Sequence, residues 1–295
     1  MKWTKTPFAA LFSLLFLLAS CEKPVFGIED EWEEVPDGYV SVNFNVTHFE
    51  QIPFDNSMNF TRGTDVGNVC TRINLAVFGE EGKVRSINQT IDDDKFGQMT
   101  VIVPQGDYSF VILAHSCTGN ATISKLEEIK FPNNKVTDTF YYYGKLTADG
   151  ESSHDIRLKR AVAKFLLETE DNVPENVAEL TFKYTGGSST FDATSGYGCV
   201  NSRQTEVRPV TAEMRGKPGS FEIYTLPHED EDELKITVTA TAEDGTVVVE
   251  NVFEKVPVKI NQITRCKGIF FGDSNRNITL GLKAEDEWTR QDYQF

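Results

Sequence analysis

Leu18-Ala19-Ser20-Cys21 is the stretch in which residue type and spacing specify a reaction. A thiol follows two small residues and a leucine, at the end of the apolar run Pro7–Leu18, with Lys2 and Lys5 ahead of it. That is the basic, apolar, small-residue layout of an export signal. A small-residue site ending on cysteine is what a bacterial lipoprotein signal peptidase cuts. Leu18, Ala19 and Ser20 would supply recognition, and Cys21 would carry the lipid as the new N-terminus. The alternative is an ordinary cleaved signal that happens to hold a cysteine. The apolar run is well short of the ~20 residues that a membrane-spanning helix needs. Each buried acyl CH₂ contributes about 0.8 kcal/mol and one chain alone binds marginally, so the two or three palmitate-type chains usual on such a cysteine make detachment slow. The expected product is a signal peptide over residues 1–20 and a water-soluble body tethered at Cys21.

No second chemistry stands out. His48, His115, His154 and His228 sit in no H-E-x-x-H or other ligand spacing. His115 ends an alternating run and reads as a packed or hydrogen-bonded side chain. Cys70, Cys117, Cys199 and Cys266 are far apart, with no C-x-x-C, which argues against zinc. They read equally as two disulfides, which an exported protein allows, or as four buried free thiols. The acidic stretch Pro227–Glu233 lacks the EF-hand layout, and with Asp92-Asp93-Asp94 it reads as a solvated loop. Gly186–Gly198 is glycine-rich without a phosphate-binding motif or a nucleophile elbow, and reads as a long inter-strand loop. The expectation is no catalytic residue, no metal, no small-molecule substrate, and no cofactor beyond the covalent lipid on Cys21. After loss of Lys2 and Lys5 the balance is 27 basic against 45 acidic residues, a net charge of −18. Nucleic acid needs Lys and Arg patches, so it is excluded as a partner. Anionic headgroups are repelled as well, which leaves attachment to the lipid.

The elements that follow are strands. Residues 21–38 are an acidic tether, with Glu29, Asp30, Glu31, Glu33 and Glu34 around Trp32. From Tyr39 the chain alternates apolar and polar residues: Val40, Val42, Phe44 and Val46; Ile73, Leu75 and Val77; Met99, Val101 and Val103; Tyr108, Phe110, Ile112 and Ala114. The pattern continues through Ile156 and Leu158, Leu180–Tyr184, Leu234–Ala240, Val256–Ile260 and Ile278–Leu282. Period two gives each strand one buried and one wet face. Turns such as Gly79-Glu80-Glu81-Gly82 and Pro104-Gln105-Gly106-Asp107 bound the runs. Many short strands at regular intervals predict an all-β protein of antiparallel β-sandwiches, and the length favours two in tandem. The polar stretch Ala148–Asp155 is the expected boundary, giving domains at 39–150 and 151–295. Consecutive Phe140, Tyr141, Tyr142 and Tyr143 must point to alternate faces, so core or inter-domain packing is favoured over one aromatic platform.

Several of these stretches, in order, resemble one family. They are Val103–Val111, Arg160-Ala161-Val162-Ala163-Lys164-Phe165, Tyr224-Thr225-Leu226-Pro227 and Val256–Thr264. The chain is similar to the fimbrillin-associated anchor lipoproteins of Bacteroidia, which serve type V pili, over most of Tyr39–Leu282. The resemblance implies two tandem transthyretin-like sandwiches, an outer-membrane lipoprotein exposed at the cell surface, and a fimbrial shaft subunit as partner. It also implies joining by β-strand exchange, with an anchor keeping its own first strand. Arg62 and Arg72 lie between the first two strand candidates, and a basic loop residue is no sign of programmed trimming. With Cys21 fixed at the membrane, the tail Lys283–Phe295 is the freer end. Trp288, Tyr293 and Phe295 are its candidates for strand exchange, against the plainer reading of a frayed end. The alternative function is a surface glycan-binding lipoprotein, with Tyr141 and Tyr143 as its candidate contacts.

Overall fold

The computed structural model describes residues 35–49 and 66–272, and the backbone alone of 279–284 and 291–294. The described part is all-β, with three short 3-10 turns and no α-helix. The first nine strands are β1 (Tyr39–Phe49), β2 (Arg72–Gly79), β3 (Gly82–Thr90), β4 (Gln98–Pro104), β5 (Gly106–His115), β6 (Thr122–Lys125), β7 (Glu128–Lys130), β8 (Phe140–Ala148) and β9 (Ser152–Arg160). The next nine are β10 (Ala163–Asn172), β11 (Glu179–Thr185), β12 (Thr190–Asp192), β13 (Tyr197–Gly198), β14 (Gln204–Pro209), β15 (Pro218–Thr225), β16 (Glu231–Thr241), β17 (Val247–Lys259) and β18 (Gln262–Gly268). Two terminal strands follow, β19 (Thr279–Ala284) and β20 (Gln291–Gln294).

One strand order occurs twice. The first seven-stranded sheet runs β3-β2-β5-β8-β9-β1-β4. Its counterpart is split into two sheets, β14-β11-β16-β17 and β15-β10-β18-β19-β20. The correspondence extends to direction: β1 is parallel to β9 and antiparallel to β4, and β10 is parallel to β18 and antiparallel to β15. The terminal pair β19–β20 has no counterpart among the described residues of the first half.

Strand β9 pairs with β1 and β8, and its Ile156 and Leu158 lie in the first core. The expected division at residue 150 is therefore too early, because Ala148–Asp155 is only the β8–β9 turn and the start of β9. The sheets change at Arg160–Ala163. A polar tight turn inside one sheet and a polar boundary look alike in sequence; the strand partner distinguishes them.

Alternation fills two cores as expected. Val42, Phe44, Ile73, Leu75, Ile112 and Leu158 pack the first, and Phe165, Leu180, Phe182, Ile236, Val238 and Val256 pack the second. Fully burying one such side chain contributes roughly 1.5–3 kcal/mol. β2 and β5 depart from one-sided alternation. Ala76, Val111 and Leu113, on their other face, enter a third core with Ile129, Tyr141, Val162, Phe191 and Leu226. This third core draws on both halves. Its cover is a small sheet, β13-β12-β7-β6, in which Phe191 of β12 pairs with Ile129 of β7.

The edge of the third core is polar and fully bonded. His115 is completely buried, its Nδ1 accepts the Cys117 N–H at 3.2 Å, and its Nε2 lies 2.7 Å from Asn74 Oδ1. Nδ1 must then be unprotonated and Nε2 the donor. Asn74 Oδ1 also accepts the Ala121 N–H at 3.0 Å. Arg72 opens β2 and donates to Cys117 O, Thr118 O and the Asn120 side chain, which holds the same loop. All four described cysteines are free. Cys70, Cys117 and Cys266 are buried, and burial pushes Cys70 and Cys266 up to about 12, so both are inert thiols. Cys199 is exposed, contrary to the reading of four buried thiols.

Burial, and then the charge of Arg72, lowers the His115 pKa from 6.5 to about 4. The unfolded chain binds this proton below about pH 6.5 while the folded chain does not, so stability falls with pH between about 6.5 and 4. The expected loss over that window is on the order of 3 kcal/mol. His115→Gln should remove that part of the slope in denaturant melts at pH 7.5 and pH 4.5; an unchanged slope would contradict the buried neutral imidazole.

Candidate functional site

Arg160 is the last residue of β9, where the chain crosses between halves. It is 2% exposed. Its guanidinium lies 4.6 Å over the Phe140 ring and donates from Nε and a terminal nitrogen to both Asp138 oxygens, at 2.8 and 3.0 Å. The other terminal nitrogen donates to Asn261 Oδ1, from the β17–β18 turn of the second half. The Asn261 N–H in turn donates to Val162 O at 2.9 Å. A fork-shaped donor matched to a carboxylate is the geometry that makes a buried charge tolerable.

A second polar seam runs beside it. Lys135, from the first half, lies 3.2 Å from Glu206 of β14 and donates to Thr205 O. Glu206, 6% exposed, also pairs with Arg208 at 3.0 Å. Tyr141 meets Phe191 edge-on at 4.7 Å. These contacts explain the aromatic run. Phe140 enters the first core and Tyr141 the third, as alternation requires. Tyr141 is 3% exposed, so it offers no sugar platform. An open groove of about 750 Å³ lies elsewhere on the first half, between Phe78, Tyr108, Lys145 and Thr147.

The glycine-rich stretch is part of the same joint. Gly196, at φ +86°, sits where a Cβ would fall 2.1 Å from the Tyr141 hydroxyl. Gly186, at φ +98°, would place one 2.1 Å from Glu233 O. Close approach and left-handed backbone both demand glycine here. The acidic stretch is ordered by His228, whose backbone N–H and Nδ1 both meet Asp232 Oδ2, at 2.9 and 3.0 Å. Desolvation opposes ionisation of Asp232, yet the His228 and Glu233 contacts hold its pKa below the usual value. No group of three His, Cys, Asp or Glu among the described residues could hold a metal.

The terminal strands lie at the far edge of the five-stranded sheet. β19 pairs antiparallel with β18, and β20 with β19. Cys266 is in register with Leu280, and Leu280 with Tyr293. Of the expected site residues, Tyr293 is therefore on the last strand of the sheet. Leu18, Ala19, Ser20, Cys21, Trp288 and Phe295 lie outside the described residues, as does Arg62. Among the described residues no helix is long and apolar enough to cross a membrane.

Sequence reasoning passed over Arg160 and its partners. Arg160–Phe165 was legible as a half-buried strand start, with nothing local to mark one arginine as buried. Asp138 and Asn261 are distant in sequence, so only the fold brings the three together.

No curated protein matches the sequence. Among solved structures, a candidate polysaccharide-binding protein from Bacteroides thetaiotaomicron aligns with TM-score 0.51 at 9% identity, over 86% of this chain and 98% of that one. That is a likeness of fold. The fimbrial anchor protein Mfa2 from Porphyromonas gingivalis aligns with TM-score 0.46 at 9% identity, covering 86% and 100% of the two chains. A fimbrial assembly protein from Parabacteroides distasonis gives 0.42 at 13%, covering 86% and 98%. The profile of the fimbrillin-A associated anchor proteins Mfa1 and Mfa2 matches residues 37–277, which takes in β1 to β18 and the joint between the halves, and the chain belongs to that family of structural, non-enzymatic proteins.

Proposed function

We propose that this protein is a lipid-anchored outer-membrane protein that fastens a fimbria to the cell and joins a shaft subunit by β-strand complementation. The observation that carries the reading is the position of β19 and β20. They have no counterpart among the described residues of the first half, and β20 stands at a sheet edge. An edge strand presents unpaired backbone groups to another chain, whose main chain supplies affinity and whose alternating side chains supply register. Family membership supports the fimbrial partner, and Leu18-Ala19-Ser20-Cys21 supports the anchor. Lipid at one end and a strand-pairing edge near the other would make the folded body a link between membrane and polymer.

Replacing Cys21→Ala should leave the fold intact, abolish labelling by a radioactive fatty acid, and release fimbriae from the cell into the medium. Labelling of the variant at the wild-type level would remove the anchor from the proposal. Deleting Asp286–Phe295 should leave a folded, lipidated protein in the outer-membrane fraction that no longer retains fimbriae. Wild-type retention, counted by electron microscopy, would rule out the terminal strand as the joining element.

A further inference from the structure

The repeated strand order puts two pairs of edge strands face to face: β3 with β4 in the first half, and β14 with β15 in the second. Neither pair is joined by a backbone ladder, and side chains bridge both gaps. Arg85 of β3 donates from Nε to Ile102 O of β4 at 3.0 Å. Gln89, four residues on, donates to Gln98 O of β4 at 2.7 Å and accepts the Gly97 N–H at 2.9 Å. The two contacts keep an antiparallel register with equal spacing on each strand, so each side chain stands where a ladder rung would be. At the equivalent place in the second half, Arg208 of β14 donates from Nε to Glu222 O of β15 at 2.9 Å. The next outward carbonyl, Tyr224 O, accepts the Tyr184 hydroxyl at 3.0 Å. Edge carbonyls that an incoming strand would need are therefore taken. On the opposite side of the second half, β17 is a long edge strand with Val247 and Val252 exposed; among the described residues no side chain donates to the carbonyls of 247–254, and the outward bridge from this stretch is the neutral Asn251 Nδ2 to Phe270 O at 3.1 Å, with no guanidinium.

We infer that Arg85, with Gln89, and Arg208 are edge guards that determine where a strand can add. They block the two facing seams and, among the edges of the larger sheets, leave strand addition to the β17–β20 side of the second half. The physical basis is occupancy: a strand entering either seam must displace a charge-assisted hydrogen bond and leave a guanidinium to find a new acceptor. The inference rests on the strand-complementation reading for its biological use, but the guarding itself concerns this chain alone.

The test uses the full mature chain with Cys21→Ala as background, comparing Arg85→Ala/Gln89→Ala and Arg208→Ala with the parent. Sedimentation velocity across a concentration series reads reversible self-association, the simplest addition of one edge to another. The expected result is guard variants that self-associate at least about tenfold more tightly than the parent, the scale of one lost charge-assisted hydrogen bond. Hydrogen exchange should show new protection in β4 or β15 of the dimer. Variants that stay monomeric over the series while melting at a lower temperature would overturn the inference, because the arginines would then be stabilising contacts only. Should an alanine variant fail to fold, Arg85→Lys and Arg208→Lys keep the charge but lose the fork, and a monomer at every concentration there overturns it equally. Dimerising guard variants alongside full fimbrial retention by the tail deletion would leave the guards standing and remove only the terminal strand as the joining element.

Discussion

Arg160 buried against Asp138 is the contact on which the rest of the molecule depends. A guanidinium at 2% exposure is intolerable unless its donors are matched, and the match here takes groups from both halves. Asp138 precedes β8, Arg160 ends β9, and Asn261 lies in the β17–β18 turn. Satisfying one charge therefore fixes the turn of the second half against the last strand of the first. The third core, the β7–β12 pairing and the Lys135–Glu206–Arg208 chain extend the same constraint over a wider surface. Arg208 belongs to both systems: it helps neutralise Glu206 and also closes the β14–β15 seam.

The halves are consequently more than neighbours on a string. Each repeats the other's strand order, and a short connection between two such bodies would ordinarily permit relative motion. Here the connection is itself packed, with Ala161, Val162 and Ala163 at 1% exposure or less. For a protein proposed to hold a polymer on a membrane, that rigidity has a use. In that reading, strain applied at the terminal strands would pass through a packed body.

Much of the fold was legible from period two. Val40 to Val46, Leu180 to Tyr184 and Leu234 to Ala240 bury the residues that alternation selects. β2 and β5 were legible as strands from Ile73–Val77 and Tyr108–Ala114, but the burial of their second face was not, because that cover comes from residues far along the chain. The joint was hidden for a related reason. Gly196 looks like loop flexibility until Tyr141 is placed against it, and Arg160 looks like a surface cation until Asp138 arrives. The proposed lipidation is the reverse case: its signal, Leu18-Ala19-Ser20-Cys21, is wholly local, because a peptidase would read an extended segment rather than a fold, and it lies outside the described residues.

If the buried pair and the third core make the halves one cooperative unit, the heat-capacity trace of residues 21–295 produced without the leader and carrying Cys21→Ala is the direct test. The account predicts a single transition whose calorimetric and van't Hoff enthalpies agree. Two separable transitions, with either half melting while the other stays folded, would contradict it.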